Sequence, residues 1–150
     1  MEKLKEEILK IVPEAVITED SSPLEVTVPA TQLYVLGKAL RENTDSPFDF
    51  LYCQTGVDWP EYMTVVYHLR STISGLELVV KAKIDDREKP EIESVCDIWR
   101  TAEFHEREIF DLFGIVFKGH PDLRRLFLDD DWQGFPLRKD YVDEVNIVEL

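Results

Sequence analysis

The chain has little of what cofactor and metal chemistry usually requires. Its 150 residues include two cysteines, three histidines and six glycines. An iron–sulfur cluster usually takes about four cysteine ligands, so the chain cannot hold one alone. Cys53 and Cys96 are too far apart for a CxxC pair and read as buried thiols of a reducing compartment rather than a disulfide. The glycines, at positions 37, 56, 75, 114, 119 and 134, form no GxGxxG. Gly114 and Gly119 stand at P-loop spacing, but His120 and Pro121 take the places of the lysine and hydroxyl residue. The segment also follows a helical pattern, whereas a P-loop follows a strand.

Basic residues are scarce as well. Seventeen Lys and Arg face 31 Asp and Glu, for a net charge of −14. Such a surface repels nucleic-acid phosphates and anionic lipid, which excludes general nucleic-acid binding. Long apolar runs are missing: the longest stretch without a charged residue, Val26 to Gly37, falls short of the about 20 residues a spanning helix needs. The opening MEKLKEEILKIVPE lacks the apolar core of a signal peptide, so the chain is expected to stay in the cytoplasm.

What is present describes a folded domain, with 44% hydrophobic and 11% aromatic residues. Leu4, Ile8 and Ile11 predict a short helix ended by Pro13. EAVIT and LEVTV read as strands around a turn, and PATQLYVLGKALREN as a helix entered at Pro29. Three further strands, FDFLYCQTGV, EYMTVVYHLRS and LELVVKAKI, are joined by the turns DWPE and TISG, as in antiparallel neighbours. DDREKPEIES reads as a charged loop. A helix then closes at Gly114, and the rest reads as an irregular tail with little helix or strand. The fold class is therefore α+β: a two-layer domain over residues 1–114 with a mixed, largely antiparallel sheet and helices on one side. Residues 115–150 form an extended segment that packs on the domain and on partners.

Polar chemistry concentrates in HEREIFDLFGIVFKGHPDLRRLF, residues 105–127. His105-Glu106 begins like HExxH, but position 109 is isoleucine, and His68 and His120 lie in other elements. The acids at 129–131 read as a solvated turn. No GxSxG elbow exists, and neither cysteine has a neighbouring histidine. Glu106 and Glu108 point about 200° apart on a helix and do not converge as a glycosidase pair. Glu103–Arg107 and Arg107–Asp111 are i,i+4 pairs, a ladder for a solvent face, with Ala102, Ile109, Leu112 and Phe113 as the buried stripe. Beyond it, Arg124, Arg125, Arg138 and Lys139 are interleaved with Asp122, Asp129, Asp130 and Asp140 and with aromatics. Arginine and aromatic residues are the types enriched at interface centres.

Residues 104–141 carry five ordered elements: E-R-E at 106–108, D-L-F-G at 111–114, G-H-P-D-L-R-R at 119–125, D-D-W ending at Trp132, and P-L-R-K-D at 136–140. This series closely resembles the signature region of the 30-kDa (C) subunit family of NADH:quinone oxidoreductase, bacterial respiratory complex I. One departure is Val142, where the family often has proline.

The resemblance implies a cofactor-free, non-catalytic α+β subunit of the peripheral arm, in its stand-alone form rather than as a C–D fusion. Its implied partners are the larger D subunit and the iron–sulfur and quinone-site subunits, at the cytoplasmic face of the cell membrane. FMN, iron–sulfur clusters, NADH and quinone would belong to the complex and not to this chain. Interface or structural residues would be Glu106, Arg107, Glu108, Asp111, Gly114, His120, Pro121, Arg124, Arg125, Trp132, Pro136, Arg138, Lys139 and Asp140. The acids at 106, 108 and 111, with Arg107, are expected to pair with Arg124, Arg125 and Arg138 or with partner charges. The homologous subunit of a membrane-bound hydrogenase or of a ferredoxin-fed complex is the nearest rival.

Overall fold

The computed structural model describes residues 1–143. Helix α1 (Glu2–Ile11) buries Leu4 and Ile8, one turn apart on the same face. Strand β1 (Val16–Thr18) runs antiparallel to β2 (Leu24–Pro29). Pro29, which lacks an N–H, ends β2, and a single 3-10 turn at Ala30–Gln32 leads into α2 (Leu33–Arg41). Helix α2 buries Leu33, Leu36 and Leu40.

Strands β3 (Phe50–Asp58), β4 (Met63–Arg70) and β5 (Glu77–Ile84) follow. The sheet order is β1-β2-β5-β4-β3. Every pair is antiparallel except β2–β5, which is parallel because the chain crosses through α2 and a hairpin before returning. The sheet is thus mixed and largely antiparallel.

Alternation selects the core face. Leu24, Val26 and Val28 of β2 lie beside Leu78, Val80 and Ala82 of β5. These lie in turn beside Leu69, Tyr67 and Val65 of β4, and all nine are buried. A register shift between Leu51 and Cys53 lets β3 keep Leu51, Gln54 and Gly56 on this same face.

Helix α3 (Ala102–Phe113) lies against β3. The approach is close enough that a Cβ on Gly56 would stand 2.9 Å from the Phe113 ring and 3.2 Å from Ile109. Gly56→Ala is therefore expected to push α3 off the sheet, at about 1–3 kcal/mol for overpacking, read by denaturant unfolding.

Two short strands correct the sequence reading. β6 (Glu91–Glu93) lies inside the segment expected to be a charged loop, and β7 (Val116–Lys118) lies in the expected irregular tail. They pair in parallel as a separate ribbon that buries Ile92 and Phe117. Ile115 is buried too, so the core continues past Gly114 before the chain becomes irregular. The expected buried stripe of α3 is also narrower: Ala102 and Ile109 are buried, whereas Leu112 and Phe113 are only half-buried. Both cysteines, expected to be buried, are half-buried.

Candidate functional site

Helix α3 stops at Gly114, whose φ of 76° is the left-handed conformation that glycine adopts without a Cβ penalty. That glycine also makes room for the tail. A Cβ there would stand 2.6 Å from the Phe135 ring, which packs 6.0 Å from Phe110 on the helix. Gly114→Ala is thus expected to cost about 1–2 kcal/mol in backbone strain alone and to unseat Phe135. Faster proteolysis of the tail, with the domain intact, would register it.

The polar face of α3 is covered by this tail. Asp111 is fully buried, and one of its oxygens accepts the successive amides of Leu126, Phe127 and Leu128 at 3.2, 2.7 and 3.1 Å. Its other oxygen accepts from Arg125 Nη1 at 3.1 Å. Three amides turned toward one point make an anion cradle. Burial pushes the Asp111 carboxyl up, but the amides of Phe127 and Leu128, the Arg125 guanidinium and the Leu126 amide together outweigh it. The carboxyl is held below the usual range.

Arg125 is the hub of the tail. Besides Asp111 it donates to the Asp111, Trp132 and Gly134 carbonyls at 2.9–3.0 Å, and its guanidinium lies 4.9 Å from the Phe135 ring centre. Arg107, also buried, donates from Nε and Nη2 to the carbonyls of Arg124 and Arg125. The expected i,i+4 ladder does not form: among the described residues Arg107 makes no ion pair with Glu103 or Asp111. Counting charges as solvent-facing misplaced them, because the tail amides and carbonyls supply buried partners that no helical wheel contains.

The remaining expected residues divide. Glu108 is half-buried and makes no ion pair among the described residues. Arg124 pairs with Asp122, and Arg138 with Asp140, both at 2.9 Å. Only Asp111–Arg125 joins a helix acid to a tail arginine among the described residues. His120 accepts the Asp122 amide at Nδ1 and donates from Nε2 to the Glu103 carbonyl, both at 2.9 Å. Pro121 borders a surface cleft, Trp132 is exposed and Pro136 is half-buried.

A second anchor involves residues that the sequence reading passed over. Asp58, at the end of β3, is buried and accepts from Arg87 at 2.6 Å and from the Lys139 amide at 2.8 Å. Arg138 donates to the Arg87 carbonyl at 2.8 Å. The Leu137 amide caps the Leu112 carbonyl at the open end of α3. So P-L-R-K-D is fastened to the sheet and the helix end, not to the E-R-E acids. Asp58 stood in a segment read only as a turn, and nothing in the sequence linked it to Arg87.

Glu106 does not make the expected pairing with a tail arginine. It is fully buried and meets no arginine among the described residues; it accepts from Ser94 Oγ at 2.5 Å, the Val95 amide at 3.1 Å, Gln54 Nε2 at 3.3 Å and Cys96 Sγ at 3.2 Å. It ties α3 to the loop after β6 and to β3. Cys96, Glu106 and His120 offer ligand atoms within 4.8 Å of one another. They do not fit a metal, because both His120 nitrogens are engaged, with the proton on Nε2. The Cys96 thiol is likewise pushed up to about 12, chiefly by burial and further by Glu106, against a lowering Ser94 hydrogen bond. The thiol is therefore held protonated at pH 8, and iodoacetamide is expected to modify Cys96 far more slowly in the folded chain than after unfolding, as mass spectrometry would show.

The pH dependence of the clasp follows from Asp111. Its folded value lies below the unfolded value of about 3.9. Its contribution is therefore complete above about pH 4 and lost as pH falls through the folded value. Asp111→Asn is expected to flatten the acid limb of stability against pH, measured by urea unfolding across pH 2–5.

Comparison with known proteins places this geometry. The family model described as "Respiratory-chain NADH dehydrogenase, 30 Kd subunit" matches residues 26–145. A C subunit of NADH-quinone oxidoreductase from Moorella thermoacetica is 40% identical over 143 residues, covering 94% of this chain and 95% of that protein. A fused C/D subunit of the same enzyme from Phocaeicola vulgatus is 50% identical over 126 residues, which are 83% of this chain but only 24% of that protein. The chain therefore spans about a quarter of the C/D relatives' length. A solved chain of the membrane-bound sulfane sulfur reductase, an archaeal respiratory membrane complex, superposes with a TM-score of 0.79 at 30% identity, covering 96% of this chain and 86% of that one. On the family model and a relative matched nearly end to end, the chain belongs to the 30-kDa subunit family of respiratory-chain NADH dehydrogenase.

Proposed function

We propose that the chain is a non-catalytic, structural subunit of the peripheral arm of a proton-translocating NADH:quinone oxidoreductase. It supports electron transfer from NADH through iron–sulfur clusters to quinone by holding its neighbours in place. The observation that carries this reading is the helix–tail clasp. Arg107, Asp111 and Arg125 of the signature region are turned inward onto the tail, mostly onto its backbone groups, as suits a structural fastening. FMN, the clusters, NADH and quinone are assigned to other subunits.

The D subunit is the proposed direct partner. In the C/D relatives the region like this chain shares one polypeptide with a much longer remainder. Fusion keeps two parts at high effective concentration, which suits parts that pack together. Phe104, Phe127, Trp132 and Leu137 are exposed on α3 and the tail and offer apolar area to such a partner. No helix among the described residues is long and apolar enough to cross a membrane, so attachment at the cytoplasmic face would run through partner subunits.

A second reading has its own observation. The likeness to a chain of the sulfane sulfur reductase complex suits the homologous subunit of another membrane complex, such as a hydrogenase or a ferredoxin-fed quinone reductase. Affinity purification of the chain from membranes, with subunits identified and NADH-dependent quinone reduction assayed, separates the two. The first reading expects NADH-oxidising subunits and that activity; a hydrogenase or ferredoxin-linked set without NADH oxidation supports the second.

A further inference from the structure

The tail leaves the domain through a turn that one histidine holds. Strand β7 ends at Lys118, Gly119 follows with a φ of 79°, and the chain then passes through His120 and Pro121. The half-buried His120 ring is engaged at both nitrogens. Nδ1 stands 2.9 Å from the Asp122 amide, and Nε2 stands 2.9 Å from the Glu103 carbonyl oxygen in the first turn of α3. A backbone amide can only donate and a carbonyl oxygen can only accept. The ring is therefore neutral, with its proton on Nε2 and the lone pair of Nδ1 turned to the tail.

An imidazolium cannot keep both bonds. A proton on Nδ1 would face the Asp122 N–H, donor against donor, while the Nε2 bond to α3 would survive. The charged ring has other partners at hand. A nitrogen of His120 lies within 4.8 Å of a Glu106 carboxylate oxygen and of the Cys96 sulfur. The Asp122 carboxylate, paired with Arg124, also feels the ring and Arg107. Glu103, Glu106 and Asp122 thus draw charge onto the ring, and Lys118, Arg107 and Arg124 oppose it.

We propose that His120 is a protonation-operated latch at the root of the tail. The neutral ring holds residues 120–122 to α3, and protonation frees the Asp122 amide. Lys118, Gly119 and Pro121 also line a cleft of about 680 Å³, so the freed turn has space to move into. Histidine changes charge between about pH 5 and 8, so the latch is closed at the upper end and opens as pH falls. The Asp111 cradle keeps its charge down to about pH 4, so the root of the tail loosens while residues 126–128 stay fastened.

Amide hydrogen exchange of the full chain across about pH 5–8, read as protection factors, tests this in the parent and in His120→Asn. Asparagine can accept the amide two residues on through its side-chain oxygen, and it does not titrate. Protection of the Asp122 amide is expected to fall about tenfold across that range in the parent, the scale of one lost hydrogen bond, and to stay level in His120→Asn. The amides of residues 126–128 are expected to keep their protection in both. Parent protection that does not change with pH, or that falls equally in His120→Asn, would overturn the proposal. Ring-nitrogen NMR shifts of His120 in the parent, at the upper end of the range, give a reading that needs no variant. The Nε2–H tautomer is expected there, and the Nδ1–H tautomer would overturn the latch as well.

Discussion

Replacing Asp111 by alanine is expected to detach the tail from α3 while leaving the sheet folded. The carboxylate is fully buried, and its loss orphans the amides of Leu126, Phe127 and Leu128 together with the Arg125 guanidinium. Removing one member of a buried charged pair costs about 3–5 kcal/mol, because the surviving charge has no other partner. Here that charge can escape: Arg125 reaches solvent if the tail lifts, so most of the cost should be met by local release. Amide hydrogen exchange should show Leu126–Leu128 losing protection while Val65 and Val80 keep theirs.

Replacing Glu106 by alanine should act on the other side of the helix and unsettle the core itself. Its carboxylate takes hydrogen bonds from Ser94, Val95, Gln54 and Cys96, of which Ser94, Val95 and Gln54 are buried and none belongs to the tail. Each buried donor left without a partner costs about 1–3 kcal/mol, so the sum is roughly 3–5 kcal/mol after relaxation. Glu106→Gln should recover only part of this, because one amide oxygen cannot replace two carboxylate oxygens. Denaturant midpoints for Glu106→Ala, Glu106→Gln and the parent chain should fall in the order parent, Gln, Ala. Equal midpoints would mean that the network is incidental.

The contrast between the two acids explains what the sequence could and could not reveal. The sheet was legible because Leu24, Val26 and Val28, and again Leu78, Val80 and Ala82, alternate at the period of a strand. The helix stop at Gly114 was legible from the glycine itself. The ribbon of β6 and β7 was not: Glu91-Ile92-Glu93 offers a single apolar residue among charges, too short a run for periodicity to register. The inward turn of Glu106, Arg107 and Asp111 was hidden for a related reason. Periodicity assigns charges to solvent, whereas here backbone amides and carbonyls, most of them from the tail, compensate them. Asp58 and Arg87 lie 29 residues apart, and only the sheet topology brings them together. Resemblance over residues 104–141 singled out this region, but which acid meets which arginine depended on the path of the tail.

In the proposed assembly Arg107→Ala and Arg138→Ala should weaken arm formation through the same segment. Arg107 holds the carbonyls of residues 124 and 125, and Arg138 holds the Arg87 carbonyl. The most direct test is the amount of D subunit recovered with the tagged chain from membranes, parent against Asp111→Ala, with quinone reduction measured on the same material. If the clasp serves assembly, recovery of the D subunit and activity fall together, leaving activity per assembled complex unchanged. Full recovery of the D subunit with activity lost would contradict a structural role and would move Asp111 into the chemistry of the complex.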